Sequence, residues 1–187
     1  MFSSPLHTSF TLGDTVNRNM DSTQQISFTP QDHVHMTHAR RQAQKSLRFA
    51  EVPVGAIIVT ADGAIVGAGY NRVEKKQSQL EHAEIQALRK AAKAIGGWRL
   101  DQCTLYVTLE PCMMCLGAAL LSRVKKIIYG APSNLFGISM LQEKLPPVYQ
   151  AHTIILQGLQ EAECSDMLKH FFLKIRSKKE ASREQNQ

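Results

Sequence analysis

Apolar residues recur along this chain with two periods, and the switches between them predict its elements. From Asp32 to Glu51, the positions Met36, Ala39, Ala43, Leu47 and Ala50 fall at helical spacing, with Arg40, Arg41, Lys45 and Arg48 on other faces. That pattern predicts an amphipathic first helix. Val54 to Thr60 and Ala64 to Tyr70 are β-branched and apolar runs joined by Ala61-Asp62-Gly63. Asp-Gly between two such runs predicts an antiparallel hairpin. A polar, charged loop follows from Asn71 to Glu81. His82 to Ile95 is rich in Ala, Leu and Glu and stops at Gly96-Gly97, which predicts a second helix with His82 and Glu84 in its first turn.

Thr104 to Leu109 reads as a buried strand, and Pro111 suits the start of a helix running from Cys112 to about Ser122. Cys112 and Cys115 then lie one turn apart on one face. Lys126 to Gly130 and Thr153 to Leu156 predict two further strands, separated by a loop holding Pro132, Gly137, Pro146 and Pro147, and a last helix begins near Leu159. Strands alternating with helices imply a parallel portion of sheet packed between helices, so the fold class is α/β.

Composition sets the outer limits. At 187 residues and 43% hydrophobic content the chain suits one compact domain with tails. Residues 1–31 hold ten Ser or Thr, one Arg and no Glu, the composition of a disordered extension. We place the domain at 32–177 and a basic tail at 178–187. No apolar run approaches the roughly 18 residues of a membrane span. The N-terminal stretch lacks a lysine-flanked start and the apolar core of a secretory signal, which argues for the cytoplasm. Four cysteines are too few and too unevenly spread for a disulfide framework.

The formal charge of +6 is concentrated at the C-terminal end. From Lys169 onward, Lys169, Lys174, Arg176, Lys178, Lys179 and Arg183 oppose only Glu180 and Glu184. Such a run suits a solvated helix as well as a polyanionic partner, and the chemistry of the rest of the chain decides between them.

That chemistry lies in His82, Glu84, Cys112 and Cys115. A catalytic zinc takes three imidazole or thiolate ligands and keeps its fourth position open. His82, Cys112 and Cys115 supply that set at helix starts, where exposed N-H groups favour thiolate. A redox C-x-x-C pair leaves Glu84 and Pro111 unexplained. A closed structural site needs a fourth ligand, yet Cys103 and Cys164 stand alone. The joint pattern H-x-E with P-C-x-x-C is the known signature of zinc nucleobase deaminases, so the reading rests on that match. It makes Glu84 the acid-base group, and soft ligands favour zinc over other divalent metals.

The surrounding stretches narrow the match: Glu51-Val-Pro-Val-Gly-Ala56, Gly69-Tyr-Asn71, His82-Ala-Glu-Ile-Gln-Ala-Leu-Arg89 and Tyr106-Val-Thr-Leu-Glu-Pro-Cys-Met-Met-Cys-Leu-Gly-Ala118. Over about residues 33–176 the chain resembles the bacterial-type tRNA-specific adenosine deaminases. The resemblance implies a three-layer α/β/α cytidine-deaminase-like fold with a five-stranded mixed sheet, a homodimer, and one zinc ion per subunit. It implies conversion of adenosine to inosine at the wobble position of a tRNA anticodon stem-loop. It also implies that Asn71 binds the flipped base, with the Ala83 backbone and Leu109 completing the pocket; the alternative on spacing alone is a turn residue at a strand end. The resemblance breaks at Gly130-Ala-Pro-Ser-Asn-Leu-Phe-Gly137, where Ser133 stands in place of a usual aspartate and Leu135-Phe136 are apolar. The rival readings are a deaminase of free guanine or cytosine, and a non-catalytic zinc-stabilised RNA-binding module for which Glu84 would have no use.

Overall fold

The computed structural model describes residues 27–140 and 152–184. Most of the Ser/Thr-rich N-terminal segment, and the part of the loop holding Pro146 and Pro147, lie outside the described residues. β1 (Gly55–Val59) and β2 (Ile65–Tyr70) form the expected antiparallel hairpin, with Gly55 opposite Tyr70. In its turn Gly63 adopts a φ of 89°, a left-handed conformation that glycine takes without steric cost. β1 also pairs antiparallel with β3 (Thr104–Leu109). β3 pairs parallel with β4 (Lys126–Ala131), and β4 parallel with β5 (Ile154–Gln157). The sheet order β2-β1-β3-β4-β5 is the expected five-stranded mixed sheet.

Helices cover both faces. α1 (Pro30–Ser46) and α5 (Glu161–Glu184) lie on one side, where Met36, Ala39, Leu159 and Cys164 pack with Ile57, Tyr106 and Ile128. α3 (Ala83–Ile95) and α4 (Met113–Leu121) lie on the other, where Ala87, Leu88, Leu116 and Leu120 pack with Ile58, Leu105, Val107 and Ile127. Neighbours such as Ile57 and Ile58 point to opposite faces because strand side chains alternate. Burial on both faces is why the strands read as unbroken apolar runs. α3 approaches β2 at backbone contact, since a Cβ added to Gly69 would fall on the Ala83 carbonyl oxygen. Glycine there sets the start of α3 against the end of β2.

The first helix departs from expectation at both ends. Thr29 caps it in a reciprocal capping box with Asp32, and Pro30 fills its first turn, so it starts at Pro30. It stops at Ser46, where a 3-10 turn (Leu47–Phe49) leads to Ala50 at a φ of 53°. The Glu51 N-H then returns to the Ser46 carbonyl. Leu47 and Ala50 therefore leave the buried stripe in which their spacing placed them, and Leu47 is exposed.

Candidate active site

The ends of β2, β3 and β4 lie at one edge of the sheet, because the start of β1 pairs with Tyr70 and lies beside Thr108, whose Oγ1 accepts the Gly55 N-H at 3.1 Å. The segments leaving those strands therefore meet there. Asn71 follows β2, Glu110-Pro111-Cys112 follows β3, and Ser133 follows β4.

His82 and Cys112 are each the N-cap of a helix, α3 and α4, one residue before the first turn in which their spacing placed His82. Both carry extended backbone and neither caps its helix with its side chain, so imidazole and thiol are free to face each other. Cys115 lies one turn into α4 and is fully buried. His82 Nδ1 stands 3.7 Å from Cys112 Sγ and 3.5 Å from Cys115 Sγ. A nitrogen and a sulfur bound tetrahedrally to one zinc at their usual bond lengths lie about 3.5 Å apart, so these separations fit the metal. The three ligand atoms lie within 4.8 Å of one another, and among the described residues no further His, Cys or carboxylate joins them. That leaves a coordination position open.

Without metal, Cys112 is already in its ligand form, whereas Cys115 and His82 are held toward their protonated forms. Cys112 is pushed down to about 3 by hydrogen bonds from the Cys115 thiol and the His82 ring. The same Cys115–Cys112 bond, together with burial, raises Cys115. Without metal the two sulfurs share one negative charge, and loading a cation must release the remaining thiol proton. His82 is raised, chiefly by its hydrogen bond with Cys112. Glu84, in the first turn of α3 and 4% exposed, is raised by burial against the opposing effects of a backbone hydrogen bond and of His82.

Gln86 fixes the entry to this floor. Its buried amide donates to the Tyr70 carbonyl at 2.6 Å and the Glu81 carbonyl at 2.9 Å, tying the residues just before Asn71 and His82 together. The 71–81 segment is closed further by Arg72, which meets Glu81 at 2.8 Å. It also contains a short helix, α2 (Val73–Lys76), where a plain loop was expected.

Over the metal ligands opens a cavity of about 430 Å³ that Asn71, Ala83, Glu84 and Leu109 line together with His82 and Cys112. Every site residue expected from the sequence except the buried Cys115 thus lines one pocket. A cavity of about 440 Å³ beside Trp98, Asp101 and Arg123 contains none of them. The first pocket also takes residues the sequence reading missed: Glu51 and Glu110 at its sides, and Phe171, Phe172 and Ile175 from α5. The carboxylates were detectable as charges set within apolar runs. The α5 residues were hidden in a stretch read for its charge alone.

A model of the cytidine and deoxycytidylate deaminase zinc-binding region matches residues 29–131, more than half of the chain. The chain belongs to this deaminase family. The deaminase is accordingly a zinc-dependent hydrolase, and its His82, Cys112 and Cys115 fit the family's metal. It is 41% identical to the tRNA-specific adenosine deaminase of Bacillus subtilis, over 82% of this chain and 96% of that protein. It is 39% identical to the enzyme of the same name from Streptococcus pyogenes serotype M1, over 79% of this chain and 87% of that one. A solved structure from work on A-to-I editing by tRNA:A34 deaminases superposes with a TM-score of 0.65 at 32% identity, covering 72% of this chain and 99% of its own. A guanine deaminase from Bacillus subtilis superposes with a TM-score of 0.52 at 37% identity, covering 57% of this chain and 71% of its own.

Proposed function

We propose that this protein is a tRNA-specific adenosine deaminase that converts adenosine to inosine at the wobble position of an anticodon, with His82, Cys112 and Cys115 as ligands of one zinc per chain and Glu84 as the acid-base group. The observation that carries the substrate assignment is the rim of the pocket. Phe136 is 74% exposed and Phe172 44% exposed, and both line the same opening as Asn71 and Glu84. Lys174 and Lys178 of α5 line the adjoining groove. Exposed aromatic rings beside cations suit unstacked bases on a phosphate backbone, whereas a small free base needs neither. The relatives of similar length, named for tRNA adenosine deamination, support the same reading.

Zinc held by the three ligands supplies Lewis acidity, lowering the pKa of water toward neutrality. The chain's own residues do the rest. Glu84 takes a proton from the attacking water and delivers it to N1 of the base as oxygen bonds to C6. It then carries the second proton to the amino group as the C6–N bond breaks, so that adenosine and water become inosine and ammonia. A carboxyl raised by burial is suited to holding a proton between these steps. Asn71 holds the flipped base, with the Ala83 backbone and Leu109 as walls. The domain spans residues 32–177, acts as a homodimer and works in the cytoplasm. Among the described residues no helix is long and apolar enough to cross a membrane.

The test is purified, zinc-loaded protein incubated with an anticodon stem-loop bearing adenosine at the wobble position, read out for inosine. Inosine at that position is expected. Ammonia release from free guanine or cytosine, with no inosine in the stem-loop, would replace this reading with that of a free-base deaminase.

A further inference from the structure

The mechanism leaves two buried carboxylates in the pocket without a task, Glu110, which accepts the backbone N-H groups of Ser133 and Ser139, and Glu51, which reaches Asn71. Glu51 is 1% exposed and lines the cavity, and its carboxylate hydrogen bonds run to Asn71, Glu74 and Lys75. Three donors converge on it. Its Oε1 accepts the Lys75 N-H at 2.7 Å, and its Oε2 accepts the Glu74 N-H at 3.2 Å and the Asn71 side-chain amide at 3.5 Å. Its own N-H is anchored to the end of α1 through the Ser46 carbonyl at 3.2 Å. A buried charge is costly unless such hydrogen bonds satisfy it. An ionised carboxylate only accepts, so Asn71 must turn its NH2 toward Glu51. Asn71 is itself 8% exposed, and its backbone N-H is held by the Val54 carbonyl at 3.0 Å. The remaining freedom of Asn71 is the rotation of its carboxamide, which Glu51 restricts.

From this convergence we propose that Glu51 is a positioning residue for the reaction. It sets the orientation in which Asn71 presents its carboxamide to the base, and it pins the start of α2 as one wall of the pocket. The inference rests on the deaminase reading above, and on Asn71 as the group that meets the base. Glu51 touches neither substrate nor metal and acts through Asn71. Replacing either Glu51 oxygen by an NH2 group sets donor against donor, so the isosteric Gln cannot restore the arrangement.

The experiment compares wild type, E51Q, N71A and the double variant, all loaded with zinc, on the adenosine stem-loop. E51Q is expected to retain one zinc per chain and to lose roughly 10–100-fold in kcat, the scale of a misplaced reacting group, with KM changed little because the rest of the RNA still binds. In the N71A background the same change is expected to cost less than about twofold, because the group through which it acts is gone. Additive losses, or E51Q with wild-type kcat, would overturn the proposal. If E51Q loses zinc or unfolds, Glu51→Asp takes its place. It keeps the charge and withdraws the oxygens, with the same non-additivity expected and the same additivity fatal. Wild type in the same assay separates the two claims. No inosine from wild type defeats the function reading, whereas inosine from wild type with additive variants defeats only the role of Glu51.

Discussion

The floor of the pocket and its rim are built in opposite ways. On the floor, His82 and Cys112 occupy the N-caps of two helices that start where a strand or a tightly bonded loop ends, and Cys115 follows one turn later. Short-range rules of chain geometry place all three. The rim is assembled from distant parts of the chain: Glu74 from α2, Phe136 from the loop after β4, and Phe172 from α5. The difference separates two demands. Metal chemistry requires ligand atoms set to tenths of an ångström on rigid elements, whereas gripping a large flexible substrate requires area, rings and charge.

The largest expected effect comes from breaking the floor. Cys115→Ser leaves an alcohol where a thiolate is required, and it should abolish both zinc content and turnover. Metal analysis and the inosine assay check this together, and a variant that keeps zinc at unit stoichiometry would remove Cys115 from the ligand set.

A cut at the rim should produce a smaller and different effect. Ending the chain after Ile175 keeps Phe171, Phe172 and Ile175 but removes Arg176, Lys178, Lys179 and Arg183. Zinc and kcat should persist while RNA affinity falls. The slope of log K against log salt should flatten by about 0.7–0.9 for each phosphate that the shortened helix no longer neutralises. An unchanged slope in a binding titration would show that the basic end of α5 makes no RNA contact.

The same contrast explains what could be read from the sequence. Hairpin, helix stops and the C-x-x-C turn rest on neighbours in sequence: Asp62-Gly63, Gly96, and Pro111 before Cys112. Each was legible, with His82 and Cys112 displaced by one residue onto caps. The α2 turn was not legible, because two of its N-H groups are held by Glu51, more than 20 residues earlier. Nor was the fate of Leu47, which depends on the 3-10 turn and the left-handed Ala50 at the end of α1. Phe171 and Phe172 were masked by the lysines around them. For α2 and the two phenylalanines the missing information was which distant segment the residue would meet; for Leu47 it was a local turn that its apolar spacing does not encode.

The smallest effect lies away from both regions, in the anchoring of α1. Asp32 accepts hydrogen bonds from the Tyr106 hydroxyl at 2.6 Å and from Thr29 Oγ1 at 2.7 Å. Burial raises its carboxyl, but the bonds from Tyr106 and Thr29 outweigh it and the net direction is down. A carboxyl that titrates lower when folded contributes stability in full above its unfolded pKa, and that contribution disappears as pH falls through the folded value. Asp32→Asn should therefore cost about 1.5–3 kcal/mol near neutrality, the worth of hydrogen bonds to a charged group. The gap from wild type should close below about pH 4. Denaturant unfolding at several pH values checks this, and a gap that widens on acidification would reverse the sign.

The central claim is that Glu84 moves protons and holds no metal. It is tested most directly by single-turnover inosine formation in the adenosine stem-loop, with wild type and Glu84→Ala compared at one zinc per chain. Equal metal content with at least about a 10²–10⁴-fold loss in the variant is the result expected of an acid-base group. A variant that carries full zinc and turns over at the wild-type rate, or one that cannot hold zinc, would contradict the account.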